Sequence, residues 1–146
     1  KFLPYGALVD HFQHEVYNHP EMTPDQRKAR YKELERVYLP HINYDDDAFL
    51  DRGTYWFKQG HIFQVPFYYI DYTLAQVVAL EFWSKDRTDH EQTFETYVSV
   101  CKTGGTKTFT DILTSHGLSN VFDPHTMKKI MDPVKTFLDT FDVTNL

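Results

Sequence analysis

A chain of 146 residues with a net charge of −6, 41% hydrophobic and 25% charged residues has the balance of an ordinary globular domain. Its acidity argues against a polyanionic partner such as nucleic acid, and no Lys/Arg run is longer than the pairs Arg27-Lys28 and Lys128-Lys129. A single cysteine, Cys101, excludes an internal disulfide, and no apolar run approaches the roughly 18 residues that span a bilayer; the expected address is the cytoplasm, with no membrane partner.

The chain opens Lys1-Phe2-Leu3-Pro4 without an initiator methionine, which suggests a piece of a longer polypeptide. Its aromatic content of 16% is high, and aromatic patches on such a piece would mark surfaces that pack elsewhere. Leu8, Phe12 and Val16 recur every four residues and predict an amphipathic helix from about Tyr5 to Asn18. Pro20 ends it. Thr23-Pro24-Asp25-Gln26 then has the chemistry of a helix start, with Thr23 as cap, Pro24 in the first turn and Gln26 completing a capping box. That helix runs to about Leu39 and is charged except for a stripe of Tyr31, Leu34, Val37 and Tyr38.

Asp45-Asp46-Asp47 reads as an acidic turn capping a short helix through Arg52, and Thr54–Phe57 as either extended or a helical turn. From Phe67 to about Lys85 the chain is apolar on several faces, as a central helix would be. Three further helices are expected near 89–103, 106–115 and 124–141, with Gly104-Gly105 and Gly117 as stops. Nothing resembles a strand-turn-strand series. The expectation is one all-α domain over residues 1–146, a multi-helix bundle.

Candidate chemistry is sparse. His11-Phe12-Gln13-His14-Glu15 comes near a zinc motif, but a peptidase helix needs His-Glu-x-x-His, with the glutamate between the histidines. A stand-alone metalloenzyme built on His11, His14 and Glu15 is the least favoured reading, and these side chains fit a solvated helix face. Asp45–Asp47 lacks the alternating ligands and glycine of a calcium loop. Gly104-Gly105-Thr106-Lys107-Thr108 lacks the Walker spacing and fits a turn in which Thr106 caps the next helix. Cys101 reads as a small buried apolar group. No metal ligand set is assigned.

The segment from His61 to Gln76, HIFQVPFYYIDYTLAQ, is different. A histidine on an incoming loop leads through Pro66 into a helix whose first turns carry Tyr68, Tyr69 and Tyr72. Tyr69 and Tyr72 are three apart and Tyr68 and Tyr72 four apart, so all can line one wall. Buried phenols need hydrogen-bond partners, an unpaired one costing about 1–3 kcal/mol, so the cluster suits a polar ligand. It also suits simple packing of two helices, and spacing alone does not separate the two.

Three blocks carry a family resemblance: Leu8–Tyr17 with Asn18–Pro24, His61–Gln76, and Tyr97–Lys107. Together they resemble the C-terminal part of the catalytic domain of the M3 zinc metallopeptidases, the oligoendopeptidase F-like branch. The resemblance implies a zinc-dependent parent enzyme that cleaves short peptides, its metal held by residues upstream of this segment. It implies that the chain alone binds no catalytic zinc and is inactive, its partners being peptide substrates and the remainder of the catalytic domain. By position, His61 matches the family's substrate-binding histidine and Tyr72 its oxyanion-stabilising tyrosine. Tyr69 matches the second tyrosine, with Tyr68 as the alternative. The contrasting reading is a non-enzymatic helical module that presents an aromatic cleft to peptides.

Overall fold

The computed structural model describes residues 1–142 and Thr144. Among these, seven α-helices follow in chain order and no strand occurs: α1 (Phe2–Asn18), α2 (Pro24–Tyr38), α3 (Gly60–Gln64), α4 (Ile70–Asp86), α5 (His90–Thr103), α6 (Phe109–Ser115) and α7 (Pro124–Thr140). Single 3₁₀ turns at Leu50–Arg52 and Tyr55–Lys58 bridge α2 and α3. The all-α architecture is therefore as the sequence suggests. The packing separates into two compact units, Lys1–Thr73 and Leu74–Leu146, and the boundary falls inside the first turns of α4.

In the first unit, α1 and α2 pack on each other through Leu8, Phe12, Tyr31 and Leu34, with Leu39 closing the cluster. Phe12 meets Tyr31 edge-on at 5.2 Å and Trp56 at 4.9 Å, so the second 3₁₀ turn is fixed by its aromatic residues. The start of α2 follows its sequence signature. Thr23 accepts from the Gln26 amide, and Gln26 reaches back to the Thr23 N–H at 2.8 Å. Val37 departs from the predicted stripe, standing 74% exposed while Tyr31 and Leu34 are buried.

Between α2 and α3, Asp47 does the capping that the acidic turn foreshadows, its Oδ1 accepting from the Phe49 and Leu50 amides at 2.9 and 3.0 Å. The element it starts is a 3₁₀ turn rather than an α-helix. Gly53 closes it at φ +79°, where a Cβ would lie 2.1 Å from the Lys28 carbonyl, so only glycine fits this crossing over α2. Glu35 is buried there, paired with Lys32 at 3.2 Å and accepting from the Tyr44 hydroxyl.

The second unit has its own core of Val77, Leu113, Leu118, Val121 and Ile130. Glu81 is buried within it. Its carboxylate accepts from the Ser119 amide at 3.0 Å and the Ser119 hydroxyl at 2.9 Å, and pairs with Lys85 at 3.0 Å. Asp89 and Asp123 cap α5 and α7. Helix α6 starts later than predicted, because Thr108 rather than Thr106 accepts from the N3 amide. Cys101, expected to be buried, is exposed on α5. Among the described residues no helix is long and apolar enough to cross a membrane.

Candidate functional site

The residues singled out in the sequence converge within the first unit. His61 lies on the single-turn helix α3 rather than on a loop, because Gly60–Gln64 closes one helical turn before Val65. Helix α4 begins at Ile70 rather than at Phe67. What intervenes is a sharp corner in which Phe67 takes φ +63°. A left-handed backbone costs a residue with a Cβ about 1–2 kcal/mol, so something else must hold it. The buried Gln13 of α1 supplies that hold, accepting from the Phe67 N–H at 2.8 Å while its own amide donates to the Val9 carbonyl at 3.2 Å. The Phe67 ring packs at 4.9 Å from both His14 and Tyr17.

This corner turns Tyr68, Tyr69 and Tyr72 back toward His61. The imidazole stacks on Tyr68 with centroids 6.3 Å apart and meets Tyr69 and Tyr72 edge-on at 5.2 and 5.8 Å. The tyrosines contact one another as well, Tyr68–Tyr72 at 5.3 Å and Tyr69–Tyr72 at 5.7 Å. Tyr68 and Tyr72 are about half exposed, and Tyr69 is more buried. Burial pushes the Tyr69 phenol above its ordinary value. Tyr72 is also pushed up, first by its interaction with the Tyr68 hydroxyl and then by lost hydration, with Asp71 and Tyr69 adding. Both phenols therefore keep their protons at neutral pH and act as hydrogen-bond donors.

Two supporting residues carry no sequence signal. The Tyr5 hydroxyl donates to Gln59 Oε1 at 2.9 Å, and Gln59 Nε2 lies 2.6 Å from His61 Nδ1. Tyr5 also meets Tyr69 edge-on at 5.8 Å. The residue is 54 positions from Gln59 in the chain, a distance at which no local pattern operates.

The histidines of α1 do not join this cluster. His11 Nδ1 lies 3.0 Å from the Tyr38 hydroxyl and its Nε2 3.2 Å from Glu15, which also takes an ion pair from Arg30 at 2.9 Å. His14 faces Asp10 at 3.5 Å. Among the described residues no group of three His, Cys, Asp or Glu side chains is placed to hold a metal ion.

No family model and no curated protein matches the chain. Solved structures do. An oligoendopeptidase F solved at 3.1 Å superposes with a TM-score of 0.94 at 43% identity, over 99% of this chain and 26% of its own. PZ peptidase A, crystallised with an inhibitor, gives 0.91 at 39% identity over 97% of this chain and 25% of its own. An oligoendopeptidase F from Bacillus anthracis str. Ames gives 0.76 at 36% identity over 99% and 22%. The chain spans about a quarter of the length of the solved proteins it matches.

Proposed function

Since the chain belongs to the oligoendopeptidase F-like family and represents a segment of such a protein, we propose that it is the substrate-facing wall of a zinc-dependent oligoendopeptidase. In this reading it is the C-terminal part of the catalytic domain, and short peptides are the substrates. The observation that carries the reading is the convergence of His61 with Tyr68, Tyr69 and Tyr72 on a partly exposed face, all donors within one side chain's reach of a common ligand. Among the described residues no three His, Cys, Asp or Glu side chains stand together to hold a metal ion, and in this reading the zinc is held by the remainder of the parent domain and the chain alone is inactive.

The roles are those that the family resemblance implies by position, and donor chemistry is compatible with them. His61, Tyr69 and Tyr68 hydrogen-bond the peptide and hold its scissile carbonyl. The Tyr72 hydroxyl donates to the oxygen that gains negative charge as the tetrahedral intermediate forms. Such a donor acts in the transition state more than in the bound ground state, and losing one costs about 10²–10³ in rate. In the full-length enzyme, Tyr72→Phe is expected to lower kcat by about that factor with KM little changed. An unchanged kcat removes Tyr72 from the oxyanion role.

A further inference from the structure

Resting on the reading of His61 as a substrate-binding group, we infer that Gln59, buttressed by Tyr5, is a positioning residue that fixes the proton of the neutral His61 ring on Nε2. The hydrogen bonds run in one direction. The Tyr5 hydroxyl donates to Gln59 Oε1 at 2.9 Å, and the Gln59 amide nitrogen stands 2.6 Å from His61 Nδ1. An amide nitrogen has protons to give and no lone pair to accept with, so Nδ1 must be the acceptor. The reversed chain, with Gln59 Oε1 turned to the imidazole and its amide donating to the Tyr5 oxygen, would put the ring proton on Nδ1 instead, so the position of that proton reports which way the chain runs.

The consequence lies on the other side of the ring. Nε2 of His61 has no hydrogen-bond partner among the described residues, and it is the nitrogen left to meet a ligand. With the proton there, the histidine presents a donor that matches a peptide carbonyl or a developing oxyanion. With the proton on Nδ1 it would present a lone pair and repel the same oxygen. Tyr5 serves two purposes, since its ring also braces Tyr69 at 5.8 Å and is itself braced by Tyr55 at 6.1 Å. One residue of α1 thereby orders both the histidine and a tyrosine of the cluster.

The test is neutron diffraction of the deuterated full-length enzyme at a pH where His61 is neutral, combined with kinetics of three variants. Deuterium on Nε2 of His61, with the Gln59 ND₂ directed at Nδ1, is the expected result. Gln59→Glu replaces the donor by a pure acceptor and should move the deuterium to Nδ1. The same variant should lower kcat/KM about tenfold, the effect of one hydrogen bond, without altering Tm appreciably. Gln59→Met should lose a similar factor. Deuterium on Nδ1 in the unaltered enzyme overturns the inference. So does a Gln59→Glu enzyme of full activity when His61→Ala is impaired. If His61→Ala is itself fully active, the substrate-binding reading of His61 falls, while the deuterium position still decides the role of Gln59.

Discussion

The crossing of α1 under the start of α4 gives the most direct test of how the site is held. A Cβ built at Gly6 would lie 1.7 Å from Thr73 Oγ1 and 3.1 Å from its Cβ, within the first unit. Thr73 is buried and its hydroxyl has no partner among the described residues, so nothing but packing sets its rotamer. Turning the hydroxyl away removes the shorter contact but leaves the 3.1 Å one, and the two helices must separate by a few tenths of an ångström. Overpacking of this kind costs about 1–3 kcal/mol, against a gain of about 1 kcal/mol for replacing glycine by alanine inside a helix. Gly6→Ala is therefore expected to lose up to about 2 kcal/mol, or up to about 6 °C in Tm for a chain of this size. The assay is thermal unfolding of Gly6→Ala, Thr73→Ala and the double variant. Thr73→Ala removes the hydroxyl and should be nearly neutral, since that group is unpaired, and part of the Gly6→Ala loss should vanish in its background, the 3.1 Å contact with the retained Cβ accounting for the remainder. In the full-length enzyme Gly6→Ala should also depress kcat below the unfolding range, because α4 carries Tyr72. A Gly6→Ala protein that is stabilised, or that loses as much in the Thr73→Ala background as it does alone, refutes the reasoning.

Other expectations follow from the same structure. The Arg30 guanidinium, with His11 adding, holds the Glu15 carboxyl below its ordinary value of 4.5, and burial opposes this. A depressed carboxylate contributes stability above pH 4.5 that is lost as the pH falls through its folded value, so the Tm advantage of the unaltered chain over Glu15→Gln should shrink as the pH falls below 4.5. An advantage that grows as the pH falls below 4.5 contradicts this. Tyr44→Phe withdraws a hydroxyl from the buried Glu35 and should cost about 1.5–3 kcal/mol in urea unfolding; a change under about 0.5 kcal/mol would mean Lys32 alone satisfies the carboxylate. Gln13→Leu leaves the Phe67 N–H without its acceptor and should cost about 1–3 kcal/mol, with loss of order around Tyr68 and Tyr69 read from tyrosine ring NMR signals. Cys101 should react fully with a maleimide in the folded chain, and protection from the reagent would contradict its exposure.

Much of the architecture was legible because helix starts are written in short local codes. Thr23 with Gln26, Asp89 and Asp123 each satisfy orphan amides within three residues, so their positions survive folding unchanged. Where two nearby residues can both cap, the code is ambiguous, and α6 starts at Thr108 instead of Thr106 for that reason. Burial was less legible. Val37 sits on the predicted stripe of α2 yet is 74% exposed, because the stripe needs a neighbour over its whole width and α1 covers only the Tyr31 and Leu34 side. Cys101 is a case of the same kind, its small apolar character saying nothing of whether anything packs on that face of α5.

The site divides along the same line. His61, Tyr68, Tyr69 and Tyr72 were visible as a local cluster, and helical spacing accounts for the contacts of Tyr72 with Tyr68 and Tyr69. The turn that aims them was not. Helical periodicity extends the helix back to Phe67, whereas the chain breaks there because the αL corner is held from α1, 54 residues away in sequence. Gln13 reads as one more polar residue of an amphipathic helix, and Tyr5 as one more aromatic. Each is decisive only once α1 lies beside the segment that it holds. The chemistry of this wall is thus encoded locally, between His61 and Tyr72, while its geometry is encoded on α1. A substitution on α1 that leaves every candidate binding residue intact can still disable the wall, which is what the Gly6→Ala and Gln13→Leu experiments separate from a loss of donors.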